Sequence, residues 1–280
     1  VVRRAGEAAP GMYVEHRSWL CNHAVVMHGL GEPTDDEERR FTEVLRVAMR
    51  ETAAVEPELA DEIGDLVRLL IPLAPPETMA SVSSSYATMR GAICLSPSDS
   101  SVLQIETIIH EFCHQKMNFL LESDDLLEPG QSGQVYFSPW RKDARRLRGL
   151  LLGAHAFMNV ARHLLRRVRS ESFRDSARVD VMRNIALRVH QVDSAMRTLG
   201  FHADYTPFGA LFAARIQREL GLLTAGVLRF PAGVRAEAAA EAAAHRRFQL
   251  GETGLHRPEG LRDRVPRASF ATASKSRRPR

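Results

Sequence analysis

Cysteine is nearly absent from this chain of 280 residues, and its three copies, Cys21, Cys94 and Cys113, are far apart and never paired as C-x-x-C. That excludes a disulfide framework and points to reduced thiols. Long apolar runs are missing as well. No stretch approaches the ~18 consecutive apolar residues that a membrane-spanning helix needs. The opening Val1-Val2-Arg3-Arg4 leads into small and polar residues, not the apolar core of a signal peptide, so the expected compartment is the cytoplasm. Aromatics make up only 6% of the chain and do not interleave with its basic C-terminus. Residues 256–280 hold eight Lys or Arg against Glu259 and Asp263, although the whole chain is only +4. The basic character therefore belongs to the tail, and no nucleic-acid partner is expected from it. Internal repeats are also lacking.

What is present is helical periodicity. With 44% apolar and 26% charged residues the chain can bury a sizeable core. Residues 1–12 read as a loose start, and Trp19, Leu20, Val25 and Val26 give His16–His28 a helical spacing. Thr34-Asp35-Asp36-Glu37 is a hydroxyl cap with acids in the first turn, opening a helix to about Val55. Pro57 opens a third helix, through Leu59, Ile63, Leu66, Val67 and Leu70, that Pro72, Pro75 and Pro76 stop. Residues 80–96 lean toward β structure, with Arg90-Gly91 as the turn between two short strands. Glu122–Lys142 is a long polar loop. Helices resume over Arg145–Val168, Asp175–Leu199, Pro207–Leu222 and Val234–Phe248. The expectation is a mainly α fold: a helical domain with one small β-hairpin beside the helix of residues 107–121. An N-terminal helical segment, 1–79, would pack on a core of residues 80–230. A terminal helix, 231–255, and a disordered basic tail, 256–280, would follow.

The helix of residues 107–121 contains His110-Glu111-Phe112-Cys113-His114, an H-E-x-x-H pattern inside a run whose Ile105, Ile108, Ile109 and Phe112 recur at helical spacing. Residues four apart share a helix face, so His110 and His114 can offer two imidazoles to one metal ion, with Glu111 beside them. Zinc, iron, nickel and copper all suit such a pair. Cys113 falls on the opposite side and reads as core.

A third ligand must come from elsewhere. Met117 and Leu120 stand where a metzincin has Gly and His, so that arrangement fails. Glu122 and Glu128 lie too early for a gluzincin; Asp124 and Asp125 remain candidates for an aspartate-type site. The better candidate is His155, on the next apolar helix, although a lone histidine there is ordinarily a satisfied core residue. His163, flanked by arginines, is a weaker choice. Between the two helices runs Ser138-Pro139-Trp140-Arg141-Lys142-Asp143-Ala144-Arg145-Arg146. Lys142 and Arg146 read as a solvated turn, whereas Arg141 or Arg145 suits a guanidinium fork on a carboxylate.

Ser83-Ser84-Ser85 with Gly91–Ser96, His110–Lys116, Ser138–Arg145 and Gly153-Ala154-His155-Ala156-Phe157 form an ordered set. Over residues 80–168 the chain resembles the HEXXH-motif proteins of ribosomal peptide natural-product clusters, in the branch of 2-oxoglutarate-dependent peptide β-hydroxylases. Arg146 departs from that pattern, which usually has Pro. The resemblance implies a dioxygenase that uses Fe(II), 2-oxoglutarate and O2 to hydroxylate Cβ of a residue in a precursor peptide. His110, His114 and His155 would then be the metal ligands, Glu111 a catalytic or ligand-steering carboxylate, and Arg141 or Arg145 the clamp for 2-oxoglutarate. Two other readings stand beside it: a zinc peptidase with Glu111 as general base, and a peptide-binding domain without catalysis.

Overall fold

The cap at Thr34 forms as its sequence requires. Thr34 Oγ1 accepts from the Glu37 backbone N–H at 3.3 Å while the Glu37 carboxylate accepts from the Thr34 N–H at 2.6 Å. This reciprocal box starts α1 (Asp35–Val55). The structure, a computed structural model, describes residues 3–16, 34–73, 81–131, 133–170 and 175–252. The helix expected over His16–His28 lies outside these residues except for His16, and so does the tail of residues 256–280.

Pro57 sits in the first turn of α2 (Pro57–Leu66), where its missing N–H costs nothing. Five further helices follow among the described residues: α3 (Ser101–Leu120), α4 (Leu147–Arg169), α5 (Asp175–His202), α6 (Pro207–Val227) and α7 (Ala232–Glu252). The fold is mainly helical, as the periodicity implies, and none of these helices is long and apolar enough to cross a membrane. Ser100 caps α3, its hydroxyl accepting from the Leu103 N–H. Helix α3 is central: it packs on α1, α2, β4, β5 and α4. Its Ile105, Ile108 and Ile109 are fully buried, together with Phe41, Leu45, Ile63, Leu70 and Ile93.

The expected hairpin exists, as β4 (Ser83–Ser84) and β5 (Ala92–Leu95), but it is the end of a larger sheet. With β1 (Arg3–Ala9), β2 (Met12–His16) and β3 (Leu69–Pro72) it makes five strands in the order β1-β2-β3-β5-β4. The central pairings, β2 with β3 and β3 with β5, are parallel and the outer two antiparallel.

Two expectations are corrected here. The described part of residues 1–12 is not a loose start: residues 3–16 fold into a hairpin about Pro10-Gly11, where Gly11 takes φ +74°. The third helix does not continue through Leu70 either. It ends at Leu66, and Leu69–Pro72 becomes a strand paired on both edges. A continuous apolar run such as Leu69-Leu70-Ile71 reads equally as buried helix or buried parallel strand, and tertiary pairing decides between them. The N-terminal segment thus contributes strands as well as helices.

Glu56, at the junction of α1 and α2, is buried and draws His163 Nδ1 to 3.2 Å, with Arg162 and Arg166 alongside. Burial pushes its pKa up, but His163 and then the two arginines more than offset this and hold it low. His163 is therefore a structural partner.

Glu15 is the opposite case. It is fully buried in β2 and neither carboxylate oxygen has a hydrogen-bond partner among the described residues. Desolvation raises its pKa to about 7. The folded state thus holds the proton more tightly than the unfolded chain, so the stabilisation is complete below about pH 4.5 and is lost as pH rises through about 7. Glu15→Gln should remove this loss and stabilise the chain by about 2–3 kcal/mol at about pH 8 while changing little at about pH 4. Urea denaturation at both pH values measures it, and equal midpoints for the two chains at the higher pH contradict it.

Candidate functional site

The two sides of α3 do different work. Toward the sheet, Gln115 Nε2 donates to the carbonyls of Met89 at 3.1 Å and Ala92 at 2.9 Å, holding the β4–β5 turn on the helix. Gly91 closes that turn at φ +74°, and a Cβ there would come within 3.0 Å of Leu66 O. One turn earlier, Glu111 accepts hydrogen bonds from Ser83 Oγ (2.8 Å, to Oε1) and Ser85 Oγ (2.7 Å, to Oε2). Both oxygens of this buried carboxylate are thus fixed by hydroxyls from the strand segment.

Away from the sheet, Glu106, His110 and His114 form a strip at four-residue spacing toward α4 and α5. The Nε2 atoms of His110 and His114 lie 3.1 Å apart, with the rings edge to face at 81°. Two nitrogens at ~2.0–2.1 Å from one ion are separated by roughly 2.8–3.4 Å for octahedral to tetrahedral angles, so the pair fits one divalent cation. The protonation states fit as well. Burial, then repulsion from His114 and Arg188, holds His110 well below the usual imidazole range. Burial lowers His114, against the opposing pull of Glu111. Neutral imidazoles are what a metal requires.

His155 stands on α4, half-buried, with its ring 5.1 Å from that of Phe212. Burial chiefly, then the charges of Lys116, His114 and Arg162, push its pKa down to about 4. Its Nδ1 is buried without a hydrogen-bond partner among the described residues. His155 therefore lies within electrostatic range of His114 and stays neutral. Among the described residues, however, no three His, Cys, Asp or Glu side chains are drawn together into a finished metal cage. The pair is assembled, and His155 is near enough to His114 to feel its charge but is not gathered into one group with it. Glu111 is committed to its serines, and Asp124 and Asp125 are exposed beyond the end of α3. The Cys113 thiol is buried, which drives its pKa to about 12, in keeping with a core side chain.

The segment Ser138–Arg145 is ordered by partners far away in sequence. Gln191 Nε2 of α5 donates to Pro139 O at 3.0 Å, His245 Nε2 of α7 to Ser138 O at 3.0 Å, and Gln249 Nε2 to Lys142 O at 3.1 Å. Trp140 lies over Gly153, where a Cβ would meet its ring at 2.3 Å. It also packs on Phe157 at 5.2 Å, and Phe157 packs on His110 at 4.6 Å. All four segments of the ordered motif set thus meet around α3. Arg141 and Arg145 both face Asp143, Nε to carboxylate at 2.8 and 2.9 Å. Burial would raise the Asp143 pKa, and Arg141 followed by Arg145 reverses that. These side chains are exposed enough that the pairing is weak and exchangeable. Lys142 and Arg146 are exposed, as their sequence suggests.

Several site residues escape the sequence reading. Ser83 and Ser85 were named in the motif set but given no role, although residues two apart in an extended chain point the same way. Arg188 carried a signal: its guanidinium carbon lies 4.4 Å from the Phe157 ring centroid, yet it occupies a position in the apolar stripe of α5. Gln191, His245 and Gln249 have no local signal, because their partners are backbone carbonyls of a distant loop.

Removing either serine hydroxyl should loosen the β4 segment from α3. Ser83→Ala and Ser85→Ala should each cost about 1.5 kcal/mol of stability. Chemical denaturation measures this, and two variants as stable as the parent would show that Glu111 does not depend on them. No protein-family model matches this chain, and none of the curated proteins matches its sequence.

Proposed function

We propose that this chain is an Fe(II)- and 2-oxoglutarate-dependent oxygenase that hydroxylates Cβ of a residue in a ribosomally made precursor peptide. The observation that carries the reading is convergence. Ser83 and Ser85, His110 to His114, Trp140, and Gly153 to Phe157 are separated in sequence but joined through direct contacts. They are the segments on which the family resemblance rests.

His110 and His114 would hold the metal as neutral imidazoles through Nε2, with His155 as third donor from α4. Iron held there would supply the activation of O2: the substrate C–H would become C–OH while 2-oxoglutarate becomes succinate and CO2, one atom of O2 entering the hydroxyl and the other succinate. Glu111 is a fixed anion beside the ligands, steering His110 and His114 through the helix that it anchors. With both oxygens already accepting serine hydroxyls, it is poorly placed to swing toward a metal-bound water, and this disfavours zinc-dependent peptide hydrolysis. Phe157 packs on His110 and Trp140, and Phe212 on His155, so aromatic rings cover part of the histidines. For Arg141 or Arg145 to hold 2-oxoglutarate, the ligand carboxylate would replace Asp143. A ribosomal substrate places the reaction in the cytoplasm.

Anaerobic addition of Fe(II) and 2-oxoglutarate together should give a visible absorption band that neither gives alone. Admission of O2 should then yield succinate and a peptide heavier by one oxygen atom. His155→Ala should lower bound iron as severely as His110→Ala. Peptide cleavage with zinc and without O2 would overturn the reading, and full iron content in His155→Ala would remove that residue from the ligand set.

A further inference from the structure

Residues 141–148 concentrate positive charge. Arg141, Lys142, Arg145, Arg146 and Arg148 share one acid, Asp143, although the chain ahead of its basic tail is on balance acidic. Asp143 is taken up by Arg141 and Arg145, at 2.8 and 2.9 Å. Arg146 and Arg148 are exposed and have neither an ion pair nor a side-chain hydrogen bond among the described residues. Helix α4 opens on them with no acid in its first turn. Like charges at this spacing repel, and the segment cannot relax by moving away, because Gln191 holds Pro139 O and Gln249 holds Lys142 O. The motif set does not call for Arg146 either, since Pro usually stands there.

Arg146 and Arg148 line a cleft of about 300 Å³ together with Leu121, Leu126, Leu127 and Leu147, a volume at the small end of ligand sites. Asp125 and Glu128, from the loop that follows α3, line it too, and no ion pair joins them to the arginines among the described residues. The cleft is therefore polarised, with cations from α4 and acids from the loop. Leu121 lies about two turns beyond His114 on α3, and Leu147 about two turns before His155 on α4, roughly 10–12 Å along either helix. An extended chain covers that distance in about three or four residues.

We infer that this cleft docks an acidic segment of a peptide. An apolar side chain enters among the leucines, and an Asp or Glu next to it pairs with Arg146 and Arg148, about three or four residues from the one that reaches the histidines. Asp125 and Glu128 repel an acid on their side, which fixes the direction of the segment. That the peptide is the substrate rests on the oxygenase reading; that an acidic peptide binds here does not. A nucleic acid fits less well, because no aromatic side chain among the described residues lines the cleft for base stacking, and the two acids repel phosphates.

The probe is a fluorescent, capped peptide, Gly-Ser-Leu-Glu-Glu-Leu-Ser-Gly, titrated into the metal-free full chain beside a twin with Gln for both Glu. The Glu peptide should bind about fivefold or more tightly than its twin. The Arg146→Gln, Arg148→Gln double variant should lose that preference. Arg183→Gln with Arg197→Gln, which removes the same charge from α5, should keep it. On the unaltered chain, hydrogen exchange should slow in residues 121–131 and 146–149, which keeps the test independent of how the variants fold. Equal binding of the twins, equal loss in both double variants, or protection confined to the basic tail overturns the inference. So does an oligonucleotide that binds more tightly than the peptide and protects the same residues. Because no metal is present, failure here leaves the iron chemistry untouched. Docking without an absorption band for iron and 2-oxoglutarate leaves the cleft standing and removes the oxygenase reading.

Discussion

The pair of hydroxyl-to-carboxylate hydrogen bonds on Glu111 is the constraint on which the rest of the site depends. Glu111 neighbours His110 in sequence, so fixing its carboxylate against Ser83 and Ser85 sets the rotation of α3 about its own axis. Gln115, one turn on, fixes the same face against the β4–β5 turn. With the sheet side held at two successive turns, the neighbouring strip of Glu106, His110 and His114 has no freedom to turn away from α4 and α5. Packing alone would leave this less certain, because Ile105, Ile108, Ile109 and Phe112 bury well over a broad arc.

Much of this was legible in the residue order. The box at Thr34, the proline opening α2, the H-E-x-x-H helix and the starts of α4 to α7, to within two residues, follow from local chemistry, whereas α5, α6 and α7 run on to His202, Val227 and Glu252, past the expected Leu199, Leu222 and Phe248. The elements that escaped depend on partners distant in the chain. Leu69–Pro72 is a strand because β2 and β5 are available on either side, and nothing within the run says so. Within the site, the histidine pair is a property of one helix and could be read from spacing. The roles of His245, Gln249 and Gln191 arise only when α5 and α7 meet the loop of residues 138–142. Arg141 and Arg145 show the converse: charge and motif mark them, but the nearest carboxylate belongs to Asp143 of the same loop.

Phe157 joins these parts. Its ring touches His110, Trp140 and the guanidinium of Arg188, so one side chain on α4 couples the metal helix, the loop and α5. A change in any of the three is felt by the others through a single rigid contact. The absence of a Cβ at Gly153 lets Trp140 come down far enough to complete this stack.

The double pairing of β3 has a consequence for the chain outside the site. Leu70 and Ile71 are fully buried, and their strand has a neighbour on each edge only because residues 12–16 lie alongside it. Strip away the opening hairpin and a short, greasy backbone edge is left facing outward, able to recruit a second molecule by strand addition. Residues 12–16 thus close an edge of β3 that would otherwise be open to strand addition.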